Sequence, residues 1–249
     1  MKSFPYHNVR HDVAEAVKVI NRDLQDPYHK THLARLARTA SLFVDMNPEG
    51  KVLDVGTSEF FPRLCDMLKL PVEVSVTRHS RGGGGTYREM LVDLEYDKLP
   101  ADDETFDFVL CCEVIEHMEI DPMFALFEIN RVMKLGASLL LTTPNITSSR
   151  SLSKMMGGVE PYFYMHYHAS RQYNRHNYEY SIHSLAKLLR AAGLDGDFWT
   201  EDLFEDGLPK VVEQCKTAGF NVDHVGDNII ARCKKSGVPI DRHPSGIYV

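Results

Sequence analysis

The nine residues VLDVGTSEF at positions 52–60 decide the fold. They begin with an apolar run typical of a buried strand and reach Asp54-x-Gly56 where the chain should turn into a helix. Gly56 has no side chain, so the backbone can approach a ligand closely, and the following helix N-terminus would offer amide donors to a carboxylate. The stretch therefore predicts an α/β unit with a ligand site beyond the carboxyl end of its strand.

Apolar strands and helical patterns alternate around this stretch. The pattern predicts strands at residues 51–55, 72–76, 89–94, 106–112, 137–143 and about 228–233. It predicts helices at about 61–68, 122–133, 184–193 and 206–217, the third closed by Gly193. The strand FDFVLCC (106–112) is continuously apolar, as expected of a strand buried on both faces. The alternation favours a doubly wound, mostly parallel α/β sheet covered by helices on both sides.

Two regions fall outside this alternation. Residues 12–46 have apolar positions at helix spacing, interrupted at Asp26-Pro27, and predict helices that precede the sheet. Residues 144–180 are rich in Tyr, His, Ser, Asn and Arg without a clean period, which favours a lid or substrate-facing insertion. We expect a single domain over 1–249, composed of a helical extension (1–47), a core (48–143 and 181–233) and the insertion at 144–180.

The composition restricts the partners and the compartment. The chain has 249 residues with 28 Lys+Arg and 35 Asp+Glu, so its net charge of −7 argues against electrostatic capture of nucleic acid. It has neither a signal-peptide pattern nor an apolar run of ~20 residues, so we expect a cytoplasmic protein without a membrane span. The five cysteines include no Cys-x-x-Cys pair, which favours reduced cysteines over disulfides or a zinc knuckle.

Four segments in a fixed order resemble the class I S-adenosylmethionine-dependent methyltransferases. They are VLDVGTSEF (52–60), LVDLEYDKLP (91–100), FDFVLCCEVIEH (106–117) and MKLGASLLLTTPN (133–145). The resemblance covers about residues 50–232 and depends on the order and spacing of the segments rather than on any single motif. It implies a seven-stranded, Rossmann-like methyltransferase fold with S-adenosylmethionine as the cofactor.

The resemblance also implies which positions bind the cofactor. The loop after the first strand would hold the methionyl end, with the acid near Asp54 at its ammonium group, and Asp93 would accept a hydrogen bond from the adenine amino group. The full set of implied cofactor-binding residues is Asp54, Gly56, Thr57, Ser58, Thr77, Asp93, Leu94, Cys112 and Glu113.

Two departures from the family pattern concern this pocket. Ser58 and Phe60 replace glycines that usually follow Gly56. The second strand normally ends in an acid that binds the ribose hydroxyls, but here it continues as SVTRHSRGGGG (75–85) without a carboxylate. Three explanations are open: Thr77 and backbone groups replace the acid, the ribose is held differently, or the cofactor is bound weakly.

The sequence EVIEH (113–117) is the clearest candidate for chemistry. Glu113 lies three residues before Glu116 and four before His117, so one helical turn would place the three side chains on one face. Two carboxylates and an imidazole at a polar cleft are suitable ligands for a divalent metal. The alternative is that Glu113 closes the cofactor pocket while Glu116 and His117 belong to a solvated helix start.

A downstream segment adds to the metal hypothesis. RHNYEYSIHSL (175–185) resembles the segment that supplies a ligand in metal-dependent small-RNA 2′-O-methyltransferases, which share the E-x-x-E-H and T-P-N motifs. Related patterns occur in ubiquinone-pathway and bacterial sugar O-methyltransferases. The resemblance implies a Mg²⁺ or Mn²⁺ site formed by Glu113, Glu116, His117 and His176.

These observations predict an O-methyltransferase that acts on a sugar or another small hydroxylated metabolite. Glu113 and His117 are the predicted catalytic residues, and His117 would serve either as a metal ligand or as the general base that removes the acceptor proton. RNA 2′-O-methylation is the alternative activity, although the acidic chain lacks an added RNA-binding domain. A catalytically silent methyltransferase fold that acts as a binding protein is the alternative without chemistry.

Overall fold

The computed structural model describes residues 8–25, 27–56, 59–78, 87–165, 167 and 175–248. Within these residues the chain forms seven strands: β1 (Gly50–Asp54), β2 (Val72–Arg78), β3 (Arg88–Leu91), β4 (Phe106–Cys112), β5 (Met133–Pro144), β6 (Leu194–Glu201) and β7 (Asn228–Lys235). The same residues contain one 3₁₀ turn (Ile115–His117) and eight helices: α1 (His11–Leu24), α2 (Pro27–Thr31), α3 (Leu33–Asp45), α4 (Phe60–Leu68), α5 (Pro122–Val132), α6 (Ser149–Met156), α7 (Ile182–Ala191) and α8 (Pro209–Thr217).

All seven strands belong to one sheet, in the order β3-β2-β1-β4-β5-β7-β6. Neighbours from β3 to β5 pair in parallel, whereas β7 is antiparallel to both β5 and β6. The central strand β4 is almost entirely buried, because its continuous apolar side chains face helices on both sides of the sheet. The predicted doubly wound, mostly parallel seven-stranded α/β fold is confirmed.

Helices cover both faces of the sheet, and a separate core lies under each layer. In β4, Phe108 and Leu110 pack into the core under α1, α3 and α4. Val109 and Cys111 point the other way, into the core under α5 and α7. This division follows from the two-residue period of a strand, which sends successive side chains to opposite faces.

The helices that precede the sheet begin and end close to the predicted positions. The predicted helical stretch 12–46 corresponds to α1, α2 and α3, and the break falls at Pro27, which begins α2 because proline has no amide hydrogen to donate and fits a first helical turn. Gly193 follows the end of α7 with a φ of +74°, as expected of a glycine that ends a helix. No helix among the described residues is long and apolar enough to cross a membrane.

Two elements differ from the sequence prediction. Strand β6 was not predicted because only Leu194 of its eight residues is buried, so neither an apolar run nor a clean alternation marks it. Helix α6 lies in the 144–180 segment, for which the sequence predicted no regular element. Its eight residues SRSLSKMM include only three apolar side chains, and Ser148 caps the helix by accepting a hydrogen bond from the Ser151 amide at 3.1 Å.

The 144–180 segment leaves the sheet and returns to the same place. Asn145, directly after β5, forms an isolated parallel bridge with Tyr180, and the Ile146 amide donates to the Tyr180 carbonyl at 2.9 Å. The two ends of the segment are therefore fixed side by side at the carboxyl end of β5.

Candidate active site

The chain turns sharply where it leaves β4. Glu113 adopts a φ of +57°, in the left-handed region, and its amide still donates to the Thr142 carbonyl of β5 at 2.8 Å. Only Ile115–His117 then form a 3₁₀ turn. The prediction that one helical turn places Glu113, Glu116 and His117 on a common face is wrong, because the left-handed residue breaks the helical path between Glu113 and the other two.

Glu113 is held by the sheet. Its Oε1 accepts hydrogen bonds from Thr142 Oγ1 at 2.8 Å and from Asn228 Nδ2 at 2.9 Å. Arg35 Nη1 lies 4.0 Å away, and Arg35 Nη2 donates to the Tyr28 hydroxyl at 2.7 Å. Because a hydroxyl, an amide and a buried guanidinium surround this carboxylate, Glu113 links α3, β5 and β7 at the edge of the cleft.

Glu116 is fully buried, and only one of its two carboxylate oxygens has a hydrogen-bond partner among the described residues. Its Oε2 accepts a hydrogen bond from Thr143 Oγ1 at 2.9 Å, whereas its Oε1 has no hydrogen-bond partner in the described part of the chain. Burial and the nearby charge of Glu113 raise the pKa of Glu116 well above its usual value. His117 Nε2 lies 3.9 Å from this unpartnered oxygen, too far for a hydrogen bond.

Both histidines of the cluster use Nδ1 for a structural hydrogen bond. His117 Nδ1 lies 2.9 Å from the Arg175 carbonyl, which can only accept, so Nδ1 carries the proton. His176 Nδ1 lies 2.8 Å from Glu179 Oε1. Burial alone would raise the pKa of Glu179, but hydrogen bonds from His176 and from two backbone amides lower it overall, so the carboxylate accepts and His176 donates. In a neutral ring each Nε2 then keeps its lone pair.

Glu116, His117 and His176 meet at one point. One potential ligand atom of each lies within 4.8 Å of those of the other two, and the two imidazole centroids are 5.1 Å apart. The segments that carry them are joined by backbone: the Asn177 amide donates to the Glu116 carbonyl at 2.7 Å, and Asn177 Nδ2 donates to the His117 carbonyl at 2.8 Å. Glu113, the fourth member of the predicted metal set, lines the same cavity but lies outside this group.

A cavity of about 720 Å³ lies over the cluster. Its aromatic walls are formed by Tyr28, His32, Phe163, Tyr164 and Phe204. Burial lowers the pKa of His32 to about 4, so its ring is neutral at pH 7 and adds to the apolar wall. A volume of this size is large enough for a small organic molecule next to Glu116 and the two histidines.

The predicted methionyl site lies at the end of β1. Asp54 is 4 % exposed, its Oδ2 has no hydrogen-bond partner among the described residues, and burial raises its pKa to about 7 although Arg78 opposes this. A Cβ on Gly56 would lie 3.4 Å from Asp54 Oδ1, so the backbone and this carboxylate are already close. An unpartnered buried carboxylate is suited to an ammonium group. Thr57 and Ser58 lie outside the described residues.

Arg78 stands at the end of β2, where the family usually has an acid. Its Nε lies 3.0 Å from Glu89 Oε1 in an ion pair that is not aligned as a hydrogen bond, and its Nη2 donates to the Tyr87 hydroxyl at 2.8 Å. Glu59 Oε1 lies 3.9 Å away. Thr77, the residue proposed to replace the acid, is 3 % exposed within the strand. The carboxylates near the end of β2, where the resemblance predicts the ribose, thus come from β3 and from the start of α4.

The remaining predicted cofactor residues lie after β3 and at the end of β4. Asp93 Oδ1 accepts a hydrogen bond from the Glu95 amide at 3.1 Å and so closes a turn, while its other oxygen accepts no hydrogen bond from the described residues. Leu94 is buried in the core. Cys112 is half-buried beside Glu113, and burial raises the pKa of its thiol, so it acts as an apolar wall rather than as a nucleophile.

Three residues of the site were not predicted. Glu179 orients His176, Arg35 faces Glu113, and Arg78 occupies the ribose end of β2. The one available signal was the spacing His176-x-x-Glu179, which is compatible with a hydrogen bond across a single turn. Arg35 carried no signal because a helical arginine is usually solvated.

The sheet, with antiparallel β7 between β5 and β6, has the Rossmann-like arrangement that the sequence resemblance implied. A family model described as "Methyltransferase domain" matches residues 28–197, more than half of the chain. The chain therefore belongs to this methyltransferase family.

Solved structures share the fold at low sequence identity. A SAM-dependent methyltransferase from Archaeoglobus fulgidus superposes with a TM-score of 0.58 at 15 % identity, covering 88 % of this chain and 99 % of that chain. The 1,6-didemethyltoxoflavin-N1-methyltransferase of Burkholderia thailandensis, solved with 1,6-didemethyltoxoflavin and S-adenosylhomocysteine, gives 0.54 at 13 % identity, covering 91 % and 88 %. A protein from Thermotoga maritima described as a possible histamine N-methyltransferase gives 0.53 at 18 % identity, covering 90 % and 100 %. A comparison with curated proteins gives no significant match.

Proposed function

We propose that this methyltransferase moves the methyl group of S-adenosylmethionine to a hydroxyl oxygen of a small acceptor, such as a sugar, with a divalent metal at Glu116, His117 and His176. The observation that carries the proposal is the convergence of one unpartnered buried carboxylate oxygen with two imidazoles whose Nδ1 atoms are already engaged.

The donor set fits a divalent ion. In metal sites a ligating histidine commonly gives its other ring N–H to a carboxylate or a carbonyl, and here Glu179 and the Arg175 carbonyl take those hydrogens. One carboxylate with two imidazoles suits Mn²⁺ and also Zn²⁺, and a cell supplies Mg²⁺ in excess. Such an ion would bind the acceptor hydroxyl and lower its pKa.

The chain itself supplies the positioning. Asp54 and the backbone at Gly56 would hold the methionyl end of the cofactor, while the aromatic walls of the cavity hold the acceptor. Methyl transfer is an in-line displacement at the sulfonium carbon, so fixing the oxygen and the methyl group in one line contributes much of the rate. The acceptor hydroxyl must also lose its proton.

When no metal is bound, His117 is the candidate general base that would accept the proton of the acceptor hydroxyl. Its Nδ1 is committed to the Arg175 carbonyl, and burial lowers its pKa, so the neutral ring offers only Nε2 as a base. A single Nε2 cannot both ligate a metal and accept the proton, so the metal and general-base roles of His117 exclude each other.

Metal binding and methyl transfer are measured separately to test the proposal. The parent, Glu116→Gln and His176→Ala proteins are titrated with Mn²⁺, with His183→Ala on the exposed face of α7 as the matched control. We expect Mn²⁺ binding in the parent and the control and a loss of at least about tenfold in the two cluster variants. Equal Mn²⁺ affinity in all four proteins would contradict the metal site.

Methyl transfer from S-adenosylmethionine is then assayed over a panel of hydroxylated acceptors with chelator, and again after Mg²⁺ or Mn²⁺ is restored. Loss of activity in chelator and its return with metal in the parent, but not in His176→Ala, is the expected result. Full activity in chelator would leave His117 as the base. No binding of S-adenosylmethionine by calorimetry would favour the silent binding protein instead.

A further inference from the structure

Helix α6 (Ser149–Met156) presents a row of polar side chains to the cavity. Arg150, Ser153 and Lys154 all line it, at positions i, i+3 and i+4, which lie on one helical face. The hydrogen-bonding state of each side chain decides whether this face is structural or available to a ligand.

Arg150 is fixed but keeps unused donors. Its Nη1 pairs with Glu205 at 2.6 Å, and its Nη2 donates to the Asp206 carbonyl at 3.0 Å. Its Nε is buried and has no partner among the described residues. Described residues thus engage two of its five N–H groups, and the guanidinium is held at the cavity wall with hydrogens left to donate.

Ser153 and Lys154 also keep donors. The Ser153 hydroxyl lines the cavity without a hydrogen-bond partner in the described part of the chain. Lys154 Nζ donates to the Tyr162 carbonyl at 2.6 Å and lies 5.3 Å from the centre of the Phe163 ring. An ammonium has three hydrogens, so two remain, and the described residues place no carboxylate at ion-pair distance from it.

Apart from Glu116, the carboxylates that line the cavity are engaged by described residues. Glu205 is paired with Arg150, Asp227 accepts three backbone amides, and Glu113 is held by Thr142 and Asn228. Among the described residues that line the cavity, Lys154 is a cation with no carboxylate at ion-pair distance. The 144–180 segment also carries four Arg and Lys against two Glu, in a chain whose net charge is −7.

We propose that the Arg150–Ser153–Lys154 face of α6 binds a phosphate group of the methyl acceptor, while the hydroxyl to be methylated lies at Glu116, His117 and His176. Three separate donors match the three terminal oxygens of a phosphate monoester better than the two coplanar oxygens of a carboxylate. This inference rests on the proposed function, and it narrows the acceptor to a phosphorylated hydroxylated compound.

The test measures binding, so it needs neither activity nor metal. The ligands are phenyl phosphate, benzoate and phenol, which contain the same aromatic ring and differ in the group attached to it. Each is titrated calorimetrically, in the presence of chelator, into the parent, Lys154→Met, Ser153→Ala and His176→Ala proteins. Lys216→Met, on the exposed side of α8, is the matched control. Thermal unfolding and S-adenosylmethionine titration of each variant report folding and the cofactor site, and Lys154→Arg supplies a charge-retaining rescue.

We expect phenyl phosphate to bind more tightly than benzoate, and benzoate more tightly than phenol. Lys154→Met should lower the affinity for phenyl phosphate by at least about tenfold, which is the usual contribution of a charged hydrogen bond. Ser153→Ala should lower the same affinity by a smaller factor. The affinity for phenyl phosphate should be unchanged in Lys216→Met, His176→Ala and Lys154→Arg. Equal binding of benzoate would overturn the phosphate assignment, as would loss in His176→Ala with retention in Lys154→Met. If phenyl phosphate binds but Mn²⁺ does not, the phosphate site is supported and the metal site of the proposed function is contradicted.

Discussion

Glu179 Oε1 lies 2.8 Å from His176 Nδ1, and the same buried carboxylate accepts the backbone amides of Phe163 and Tyr164. One side chain thus fixes both the orientation of an imidazole in the cluster and the path of the aromatic wall above it. A carboxylate in this position keeps the proton of His176 on Nδ1 and makes Nε2 more basic.

Glu179→Gln should lower Mn²⁺ affinity by about 10- to 100-fold, because a neutral amide orients His176 less firmly. It should also lower the free energy of unfolding by about 1–3 kcal/mol. The reason is that the amide NH₂ of the glutamine is a donor and would face backbone amides whose hydrogen bonds the carboxylate now accepts. Mn²⁺ titration and urea unfolding measure the two effects. Glu160→Gln, exposed in the same segment, is the control. Unchanged Mn²⁺ affinity would show that Glu179 serves only the backbone.

Gly56→Val should greatly weaken binding of S-adenosylmethionine while the protein still folds. A Cβ at this position would already lie 3.4 Å from Asp54 Oδ1, and two further methyl groups would fill the space that the backbone leaves for a ligand. Gly237→Ala is the control, because a Cβ there meets nothing within 4 Å. Calorimetric titration measures the affinity, and a Gly56→Val protein that binds like the parent would remove this loop from the cofactor site.

Asp54 should make the cofactor-free protein less stable as the pH rises. Its pKa in the folded chain is about 7 against an ordinary 3.8, so between these values the folded state holds a proton that the unfolded state has lost. Stability therefore falls as pH rises from 4 to 7 and levels off above 7, by roughly 2 kcal/mol or more between pH 5 and pH 8. Urea unfolding of the parent and of Asp54→Asn measures the difference. The two proteins should diverge progressively toward pH 8, and parallel curves would mean that Asp54 is already ionised.

Arg78 and Glu89 should behave as a coupled pair. Arg78→Met would leave a carboxylate that is 23 % exposed without its counter-ion, at a cost of about 1–3 kcal/mol in the free energy of unfolding. The double variant Arg78→Met with Glu89→Leu should recover part of that loss, because the stranded charge is gone. A double-mutant cycle by urea unfolding measures the coupling. Strictly additive losses would show that the ion pair contributes nothing to the end of β2.

Much of the fold could be predicted from local patterns. The apolar run 106–112 and the Asp54-x-Gly56 turn identify the centre of a parallel sheet, because such a strand must be covered on both faces. Strand β6 gave no signal, since its stability comes from pairing with β7 rather than from buried side chains of its own. Pairing between distant segments is not encoded in a local period.

The candidate site was predictable by residue type and less so by geometry. The structure brings Glu116, His117 and His176 together, although a left-handed residue at Glu113 replaces the expected helical turn. In that conformation the Glu113 carboxylate accepts hydrogen bonds from β5 and β7 and its amide donates to β5, contacts that adjacent residues do not specify. Metal binding by these residues stays a prediction.

The bridge between Asn145 and Tyr180 makes the intervening stretch an exchangeable cassette. Because its two ends are held at one point, a replacement of different length can be accommodated with little loop-closure cost and without disturbing the sheet that carries Asp54. The cassette includes Lys154, His176 and Glu179, so under the proposed function one exchange would alter both the acceptor that fits and the surroundings of its reacting oxygen. Cofactor use and acceptor choice would then diverge independently in a chain built this way.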